Sequence, residues 1–354
     1  MSSTARGIVA ATSAMVLAVW GTAVAHADDP SPKEIYEKAA PGTVHVIGSN
    51  GSGTGFIYDS EKGLTVTNAH VVQGEAALKA VVENRQPAPV RVVGIDPCED
   101  LAVLKFASPQ KDLKELEFGD SGKVETADAV TALGYPESVE GGSSTQNAAF
   151  TSGAVQSRAV SADPFPSLPR YPALIQHSAT LNPGNSGGPL LNSEGKVVGL
   201  NVLGYAGAEG QFYAIASDHA EPKLAALAAG EKKNDPGWLL LDLTDPILPS
   251  VFEEIDSPED AAAFKDFQSR GIEGVMALYV RADSPAAKAK LSGGDVITTV
   301  RDEPVKSMAQ ICDILQSTAA GETLTLTGVY SGVLGSVGGQ VAEEWTTELK
   351  LPRN

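Results

Sequence analysis

The stretch Leu-Asn-Pro-Gly-Asn-Ser-Gly-Gly-Pro-Leu, residues 181–190, places Ser186 inside a run of glycines. A nucleophilic serine needs a tight turn that exposes its Oγ, with backbone N–H groups free to face a developing oxyanion. Glycine adopts the positive φ angles of such a turn and lets a substrate backbone come close. Asn, Pro and Gly are also common in ordinary surface turns, so this stretch alone leaves both interpretations open.

Two segments upstream of this turn supply the groups that would activate its serine. The run Thr-Asn-Ala-His-Val-Val carries His70, a candidate general base. The run Asp-Pro-Cys-Glu-Asp-Leu-Ala-Val-Leu-Lys carries two candidate acids, Asp96 and Asp100, of which only Asp100 directly precedes an apolar strand. We therefore expect a triad in which Asp100 orients His70 and His70 takes the proton of Ser186. The order His, Asp, Ser is that of chymotrypsin-like enzymes and differs from the orders of subtilisin and the α/β-hydrolases.

Four blocks that contain glycine-rich or triad residues follow one another over most of residues 42–217. They are Gly51-Ser52-Gly53-Thr54-Gly55-Phe56, Thr67-Asn68-Ala69-His70, Asp100-Leu101-Ala102-Val103-Leu104-Lys105 and Gly184-Asn185-Ser186-Gly187-Gly188-Pro189. In this order the blocks resemble those of the HtrA (Deg) serine proteases. The resemblance implies a chymotrypsin-like double β-barrel with the triad in the cleft between the barrels. It also implies an oxyanion hole formed by the backbone N–H groups of Gly184 and Ser186, with help from Asn185.

Short apolar runs between turn signals agree with a mostly β fold. The predicted strands are 43–47, 55–58, 63–67, 90–95, 101–106, 129–133, 153–157, 196–202 and 210–215. Many short strands separated by Gly, Ser and Asp are typical of a β-barrel or a β-sandwich.

The residues around the nucleophile also predict the specificity pocket. In the chymotrypsin fold the base of the S1 pocket lies about six residues before the nucleophile, which here is Thr180. An acid at this position selects Lys or Arg, whereas threonine offers no such attraction. The strand that follows the nucleophile is expected to form the wall of the pocket, through Asn201, Val202, Leu203 and Gly204. Together with the preference of the family, this predicts cleavage after small or medium aliphatic residues.

The chain changes character after the last predicted strand of the protease. Residues 217–229 have helical spacing, and the polar run 231–236 is typical of a linker. We therefore predict a protease domain over residues 28–230 and a second domain over residues 237–354. In the second domain the runs Asp-Ser-Pro-Ala and Leu-Ser-Gly-Gly-Asp-Val-Ile resemble those of a PDZ domain.

The resemblance to a PDZ domain covers residues 272–330 and implies a groove for C-terminal peptides. In the family a glycine lies in the carboxylate-binding loop, within runs of the type Tyr-Leu-Gly-Ile. The corresponding run here is Trp238-Leu239-Leu240-Leu241, in which Leu240 takes the place of the glycine. We predict the peptide groove at these four residues. Because Leu240 replaces the glycine of the carboxylate-binding loop, binding of a C-terminal carboxylate does not follow from the resemblance.

The N-terminus has the composition of an export signal. Arg6 is followed by an apolar run and by an Ala-His-Ala site that ends at Ala27. A positive start, an apolar stretch and an A-x-A site are typical of a secretory signal peptide. We predict a signal peptide at residues 1–27, cleavage after Ala27, and a secreted, periplasmic or cell-envelope location. The alternative is an uncleaved membrane anchor, since the apolar run is near the length of a spanning helix.

Composition limits the classes of partner and cofactor. The chain has 354 residues, enough for two domains, and a formal net charge of −18. A surface this acidic repels nucleic acid, so nucleic acid is not an expected partner. Neither a metal nor another cofactor is expected, because no cluster of cysteine and histidine has ligand spacing.

The two cysteines, Cys98 and Cys312, fall in different predicted domains. Cys312 is spaced with Met308 and Leu315 on one face of a predicted helix, which makes it a small core residue. We therefore expect free thiols. A disulfide between the two cysteines is the alternative, which export from the cytoplasm makes chemically permissible.

Three functions are compatible with these features. The first, which the resemblance implies, is an HtrA-like serine endopeptidase that hydrolyses misfolded or unfolded extracytoplasmic proteins. The second is a non-catalytic chaperone or peptide-binding scaffold, against which the intact triad argues. The third is a dedicated processing protease regulated by its PDZ domain. The resemblance further implies C-terminal peptides as ligands of the PDZ domain and a homotrimer formed through residues 28–42.

Overall fold

The computed structural model describes residues 30–49, 51–136, 147–162, 167–204, 210–246, 248–254, 257–336 and 339–352. The predicted signal peptide, residues 1–27, and its cleavage site lie outside these residues. Within the part of the chain that the structure describes, no helix is long and apolar enough to span a membrane.

The first barrel is built from six antiparallel strands. They are β1 (Thr43–Ile47), β2 (Ser52–Asp59), β3 (Leu64–Thr67), β4 (Leu78–Val82), β5 (Ala88–Asp96) and β6 (Leu101–Phe106). The sheet closes in the order β1-β2-β3-β6-β5-β4. Apolar side chains such as Val44, Ile57 and Leu104 are fully buried inside it. Burial of such side chains supplies the main favourable free energy of folding, and branched ones suit the extended backbone.

The second barrel repeats this plan with the next six strands. They are β7 (Ala129–Gly134), β8 (Ala149–Ala162), β9 (Tyr171–His177), β10 (Pro189–Leu191), β11 (Val197–Gly204) and β12 (Phe212–Ala216). This sheet closes in the order β10-β11-β12-β9-β8-β7. Phe56 and Leu101 of the first barrel pack in one cluster with Leu174 and Leu200 of the second. The two barrels therefore share a continuous apolar core, and the predicted double barrel is confirmed.

Two helices complete the protease region. α1 (Pro32–Ala39) begins with a capping box, in which the side chains of Ser31 and Glu34 each bond the backbone N–H of the other residue. Its buried residue Ile35 joins the core shared by the barrels. α2 (Ser217–Ala228) buries Ala220 and Leu224 in the same core, and Gly230 follows it with a φ of 107°.

A third sheet carries the C-terminal region. Its strands are β13 (Trp238–Asp242), β14 (Val275–Val280), β15 (Asp295–Val300), β16 (Glu303–Pro304), β17 (Thr323–Tyr330) and β18 (Glu344–Lys350). The order is β13-β14-β15-β17-β18, with β16 paired to β15, so β13 is an edge strand. The helices of this region are α3 (Leu248–Glu254), α4 (Pro258–Gln268), α5 (Pro285–Lys288) and α6 (Met308–Gln316).

The expectation of free cysteines is wrong, because Cys98 and Cys312 form a disulfide with an Sγ–Sγ distance of 2.07 Å. Cys312 does lie on the buried face of α6, as its helical spacing predicted. That face, however, also covers Cys98 from the loop between β5 and β6, and both residues belong to one apolar cluster. Because the two cysteines are 214 positions apart in the sequence, no local pattern signals this contact.

The predicted linker, residues 231–236, is hydrogen-bonded to the protease region. The N–H of Ile95 donates to the carbonyl of Glu231 at 3.0 Å, and the N–H of Lys233 donates to the carbonyl of Ile95 at 2.9 Å. The side chain of Asn234 donates to Asp96 Oδ1 at 3.0 Å. This segment therefore pairs with the end of β5, and it holds the third sheet against the first barrel.

Candidate active site

Two neighbouring strands bring His70 and Asp100 together. His70 follows the end of β3, and Asp100 directly precedes β6, which pairs with β3 in an antiparallel register. Asn68 fixes the two chain ends to each other, because its Nδ2 donates to the carbonyl of Asp100 at 3.0 Å. The backbone of Asp100 has a φ of 53°, in the left-handed region, which turns the chain sharply into β6.

Asp100 is 1% exposed, and its carboxylate accepts two hydrogen bonds from His70. His70 Nδ1 lies 2.9 Å from Oδ2 and 3.0 Å from Oδ1, and the backbone N–H of His70 donates to Oδ1 at 3.0 Å. A carboxylate at Nδ1 assigns the proton to that nitrogen and leaves Nε2 as an acceptor. The side chain of His70 is 28% exposed, so the ring is accessible to a substrate, whereas the carboxylate of Asp100 is shielded from water.

Tyr171 is a third partner of this carboxylate, which analysis of the sequence missed. Its hydroxyl donates to Asp100 Oδ2 at 2.8 Å, reaching across from β9 of the second barrel. Burial and the nearby Asp100 charge raise the pKa of Tyr171 well above 10, so the hydroxyl keeps its proton and remains a donor. Because 71 residues separate the two along the chain, no local motif signals this contact.

Ser186 lies on the turn between β9 and β10, close to the His70 loop. A Cβ added at Gly187 would lie 2.2 Å from the carbonyl oxygen of Thr54 and 3.0 Å from the backbone nitrogen of Asn68. With a φ of 82°, Gly187 is a position where only glycine fits without strain. The carbonyl of Ser186 accepts from the N–H of Thr54 at 2.8 Å, which fastens the turn to β2.

The hydroxyl of Ser186 is hydrogen-bonded to a strand of the second barrel in this structure. Its Oγ donates to the carbonyl of Val202 in β11 at 2.5 Å, and among the described residues it has no hydrogen bond to His70. Catalytic hydrogen bonds are often long or absent without substrate and form only in the Michaelis complex.

Of the three residues predicted for the oxyanion hole, Gly184 and Ser186 have unengaged amides. Neither N–H donates to another group within the described part of the chain. Gly184 has a φ of 91°, and its carbonyl is held by Thr54 Oγ1 at 2.7 Å. The N–H of Asn185 instead donates to the carbonyl of Asn182 at 3.0 Å, so it serves the turn. Two amides of this turn therefore have no partner among the described residues, and their role as an oxyanion hole stays a prediction.

Of the residues predicted for the specificity pocket, Asn201 and Val202 are hydrogen-bonded to this turn, because their carbonyls accept from the N–H of Gly187 and from Ser186 Oγ. Thr180 is exposed, and its carbonyl accepts from Thr151 Oγ1 at 2.9 Å. Asn201 and Val202 are buried in β11, where Asn201 Nδ2 donates to the carbonyl of Pro189 at 3.1 Å. Leu203 and Gly204 pair with Tyr213 and Phe212 of β12, and the side chain of Leu203 lies outside the described part of the structure. The role of these residues in specificity stays a prediction.

Comparison with known proteins agrees with this arrangement. A family model for a trypsin-like peptidase domain matches residues 53–200, and one for a PDZ domain matches residues 277–327. A "Probable periplasmic serine endoprotease DegP-like" of Brucella suis biovar 1 (strain 1330) is 32% identical over 280 residues, covering 78% of this chain and 49% of that protein. The "Serine protease Do-like HtrB" of Bacillus subtilis (strain 168) is 34% identical over 270 residues, covering 75% of this chain and 56% of that protein.

Solved structures share the fold. The HtrA-type protease AlgW with a tripeptide superposes with a TM-score of 0.52 at 22% sequence identity, over 91% of this chain and 97% of that one. The chain spans about half the length of the curated relatives named above. Both family models fall on the regions where the structure has a double barrel and a third sheet. This chain therefore belongs to the HtrA-like serine proteases that carry a PDZ domain.

Proposed function

We propose that this chain is a serine endopeptidase that cleaves misfolded or unfolded polypeptides outside the cytoplasm. The observation that carries the proposal is the buried Asp100 carboxylate bound to His70, next to a glycine turn that presents Ser186. The names of the relatives, which are serine proteases and endoproteases, support the same reaction.

In the proposed mechanism His70 first accepts a proton from Ser186 and then donates it to the leaving amine. Asp100 holds the ring so that Nε2 accepts the proton of Ser186 Oγ as the oxygen attacks the peptide carbonyl. The amides of Gly184 and Ser186 stabilise the negative oxygen of the tetrahedral intermediate. His70 then gives the proton to the leaving amine, and water releases the acyl group by the same steps in reverse.

The proposed substrates are extended chains with aliphatic residues before the cleaved bond. Thr180 supplies no negative charge to hold a basic side chain, which disfavours cleavage after Lys or Arg. The Brucella relative is named a periplasmic protein, and together with the export motif of residues 1–27 this supports a location outside the cytoplasm. A homotrimer and binding of C-terminal peptides by the PDZ domain are parts of the proposal that the family resemblance supports.

Labelling with a serine-directed phosphonate tests the proposal. A diphenyl phosphonate with an aliphatic P1 side chain is expected to modify the purified chain at Ser186, as mapped by mass spectrometry. The matched probe with a basic P1 side chain is expected to react much more slowly. The same preparation should hydrolyse β-casein, and a proteome-wide comparison of cleaved proteins separates broad quality control from processing of one substrate. Absence of both labelling and hydrolysis would favour the non-catalytic scaffold.

The pH dependence of hydrolysis should report the state of His70. Burial by itself lowers the pKa of His70, but the charge of Asp100 and its hydrogen bonds outweigh burial and raise the pKa above its ordinary value of 6.5. A general base must be neutral, so activity rises as the pH increases through this pKa. We expect the acidic limb of kcat/KM to have its midpoint above pH 6.5. A midpoint below pH 6.5 would contradict the charge-dominated environment of the ring.

A further inference from the structure

The edge strand of the third sheet is the place where a PDZ domain takes its ligand. In such domains an extended peptide adds a strand to the exposed sheet edge and inserts side chains into a pocket. Here the edge strand is β13, and α6 packs beside it, with Trp238, Leu240, Met308 and Leu315 in one buried cluster. A peptide would have to pair with the outer edge of β13 and reach this cluster.

The outer edge of β13 is already occupied by the protease region. The inner edge is marked by bonds to the next strand, such as that from the N–H of Arg281 to the carbonyl of Gly237. The carbonyl of Trp238, the next residue, accepts instead from Gln73 Nε2 at 3.3 Å. At the other end of the strand the N–H of Asp242 donates to Ser167 Oγ at 3.0 Å.

The backbone next to Gln73 also packs against the face of the strand. A Cβ added at Gly74 would lie 3.3 Å from Leu239 Cδ2 and 3.5 Å from Tyr279 Cδ1. Gln73 and Gly74 follow His70 closely in the chain, so the segment that leads away from the general base covers β13. Two of the hydrogen-bonding groups that an incoming peptide strand would use, the carbonyl of Trp238 and the N–H of Asp242, are thus satisfied within the chain.

The apolar space between β13 and α6 is filled by Cys98. This side chain is 1% exposed and is the member that the protease region contributes to the cluster of Trp238, Leu240 and Cys312. The disulfide to Cys312 fastens it to the helix that forms the other wall of the groove. A side chain of a bound peptide would compete for the volume that Cys98 occupies.

The loop that carries Cys98 is anchored on both sides of the cysteine. Asp96 accepts from the N–H of Cys98 at 3.1 Å and from Asn234 of the linker segment at 3.0 Å. Glu99 Oε2 lies 2.6 Å from Nε2 of His219 in α2. Asp100, the acid bound to His70, follows directly. The loop therefore touches the PDZ domain, the segment before it and the candidate active site at once.

We propose that the loop Asp96–Asp100 closes the peptide groove of the PDZ domain, and that reduction of the Cys98–Cys312 disulfide opens the groove to an extended apolar peptide. A dithiol reductant supplies two electrons and two protons, which break the S–S bond and leave two thiols, while the reductant becomes a disulfide. Without the bond, the contacts that hold the protease region to β13 among the described residues are two hydrogen bonds and apolar packing. The oxidised chain holds its own loop where a ligand would bind.

Hydrogen exchange followed by mass spectrometry on the full chain tests the closure. The Ser186→Ala variant is used so that no peptide is cleaved and the result does not depend on the proposed peptidase activity. Reduction with dithiothreitol is expected to speed exchange over residues 238–243 by about tenfold or more, while β1 and β17 remain protected. Cys98→Ser/Cys312→Ser in the same background should show the fast exchange without reductant. Gln73→Ala, which breaks one contact in the oxidised chain, is the matched control and should change exchange far less.

Binding of a defined probe then tests what enters the groove. A fluorescein-labelled pool of decapeptides with apolar C-terminal residues is expected to slow exchange over residues 238–243 in the reduced chain and to leave the oxidised chain unchanged. Equal exchange at β13 before and after reduction would overturn the closure. Peptide protection that is the same in both states, or missing in the reduced state, would overturn the role of the disulfide as a lock on a ligand site.

Discussion

Replacing Ser186 by alanine is expected to abolish hydrolysis of β-casein, with kcat reduced by about 10⁶-fold. The reason is that Ser186 is the only group on the glycine turn that can form the acyl bond, while His70 merely transfers its proton. What remains after the substitution is stabilisation of the oxyanion by the backbone amides of positions 184 and 186 and the binding of substrate. The measurement is the release of peptides from β-casein by wild type and variant at equal concentration.

The variant should fold normally, because within the described residues the hydroxyl of Ser186 makes one hydrogen bond, to the carbonyl of Val202. Losing such a bond costs about 1 kcal/mol, and circular dichroism should be unchanged. Ser178→Ala is the matched control, since Ser178 Oγ lies in the chain segment just before the turn and accepts from the N–H of Ala154 at 3.0 Å. This control should keep its activity. Equal hydrolysis by wild type and Ser186→Ala would mean that the activity comes from another protein.

The sequence predicted most strands of the barrels but not all of them. The strands at Thr43–Ile47 and Leu101–Phe106 were predicted at both ends, because each is an apolar run between turn residues. β4 was missed, and so was β10, which has only three residues and begins with Pro189. β9 was missed too, since Pro172 interrupts the apolar pattern that marks a strand. Closure of the barrels supplies the pairing partners that these segments lack in local sequence.

Local motifs of the site were predictable, whereas the contacts between distant segments were not. His70, Asp100 and Ser186 each sit in a recognisable run of residues, and the structure places the first two in direct contact. Tyr171 and the disulfide were found only in three dimensions, because the residues that meet belong to different sheets or domains. A single sequence does not encode such pairs as a pattern. The helical spacing of Cys312 correctly predicted a buried position, but it carried no information about Cys98, and we therefore expected a free thiol.

Asp100→Asn should lower kcat by about 10⁴-fold while leaving the chain folded. The Asp100 carboxylate receives three donors: the backbone N–H of His70, the ring Nδ1–H of His70 and the hydroxyl of Tyr171. A carboxylate can accept all three, but the asparagine amide replaces one acceptor oxygen with an NH₂ group. The measurement is kcat on a chromogenic peptide with an aliphatic P1 residue.

The loss follows from the tautomer of His70. With an NH₂ group facing the ring, Nδ1 becomes the acceptor and the ring proton moves to Nε2. Nε2 then has no lone pair for the proton of Ser186, so the hydroxyl is no longer activated. The negative charge that raises the pKa of His70 also disappears, and the acidic limb of the pH profile should shift to lower pH.

Two other variants separate this mechanism from simple disturbance of the loop. Asp96→Asn makes the same chemical change in the same loop, but Asp96 contacts Cys98 and Asn234, so kcat should stay within a few-fold of wild type. Tyr171→Phe removes one donor and leaves the Asp100 charge in place, so a loss of about tenfold is expected. If Asp96→Asn lost as much activity as Asp100→Asn, the integrity of the loop and not the acid behind His70 would determine the rate.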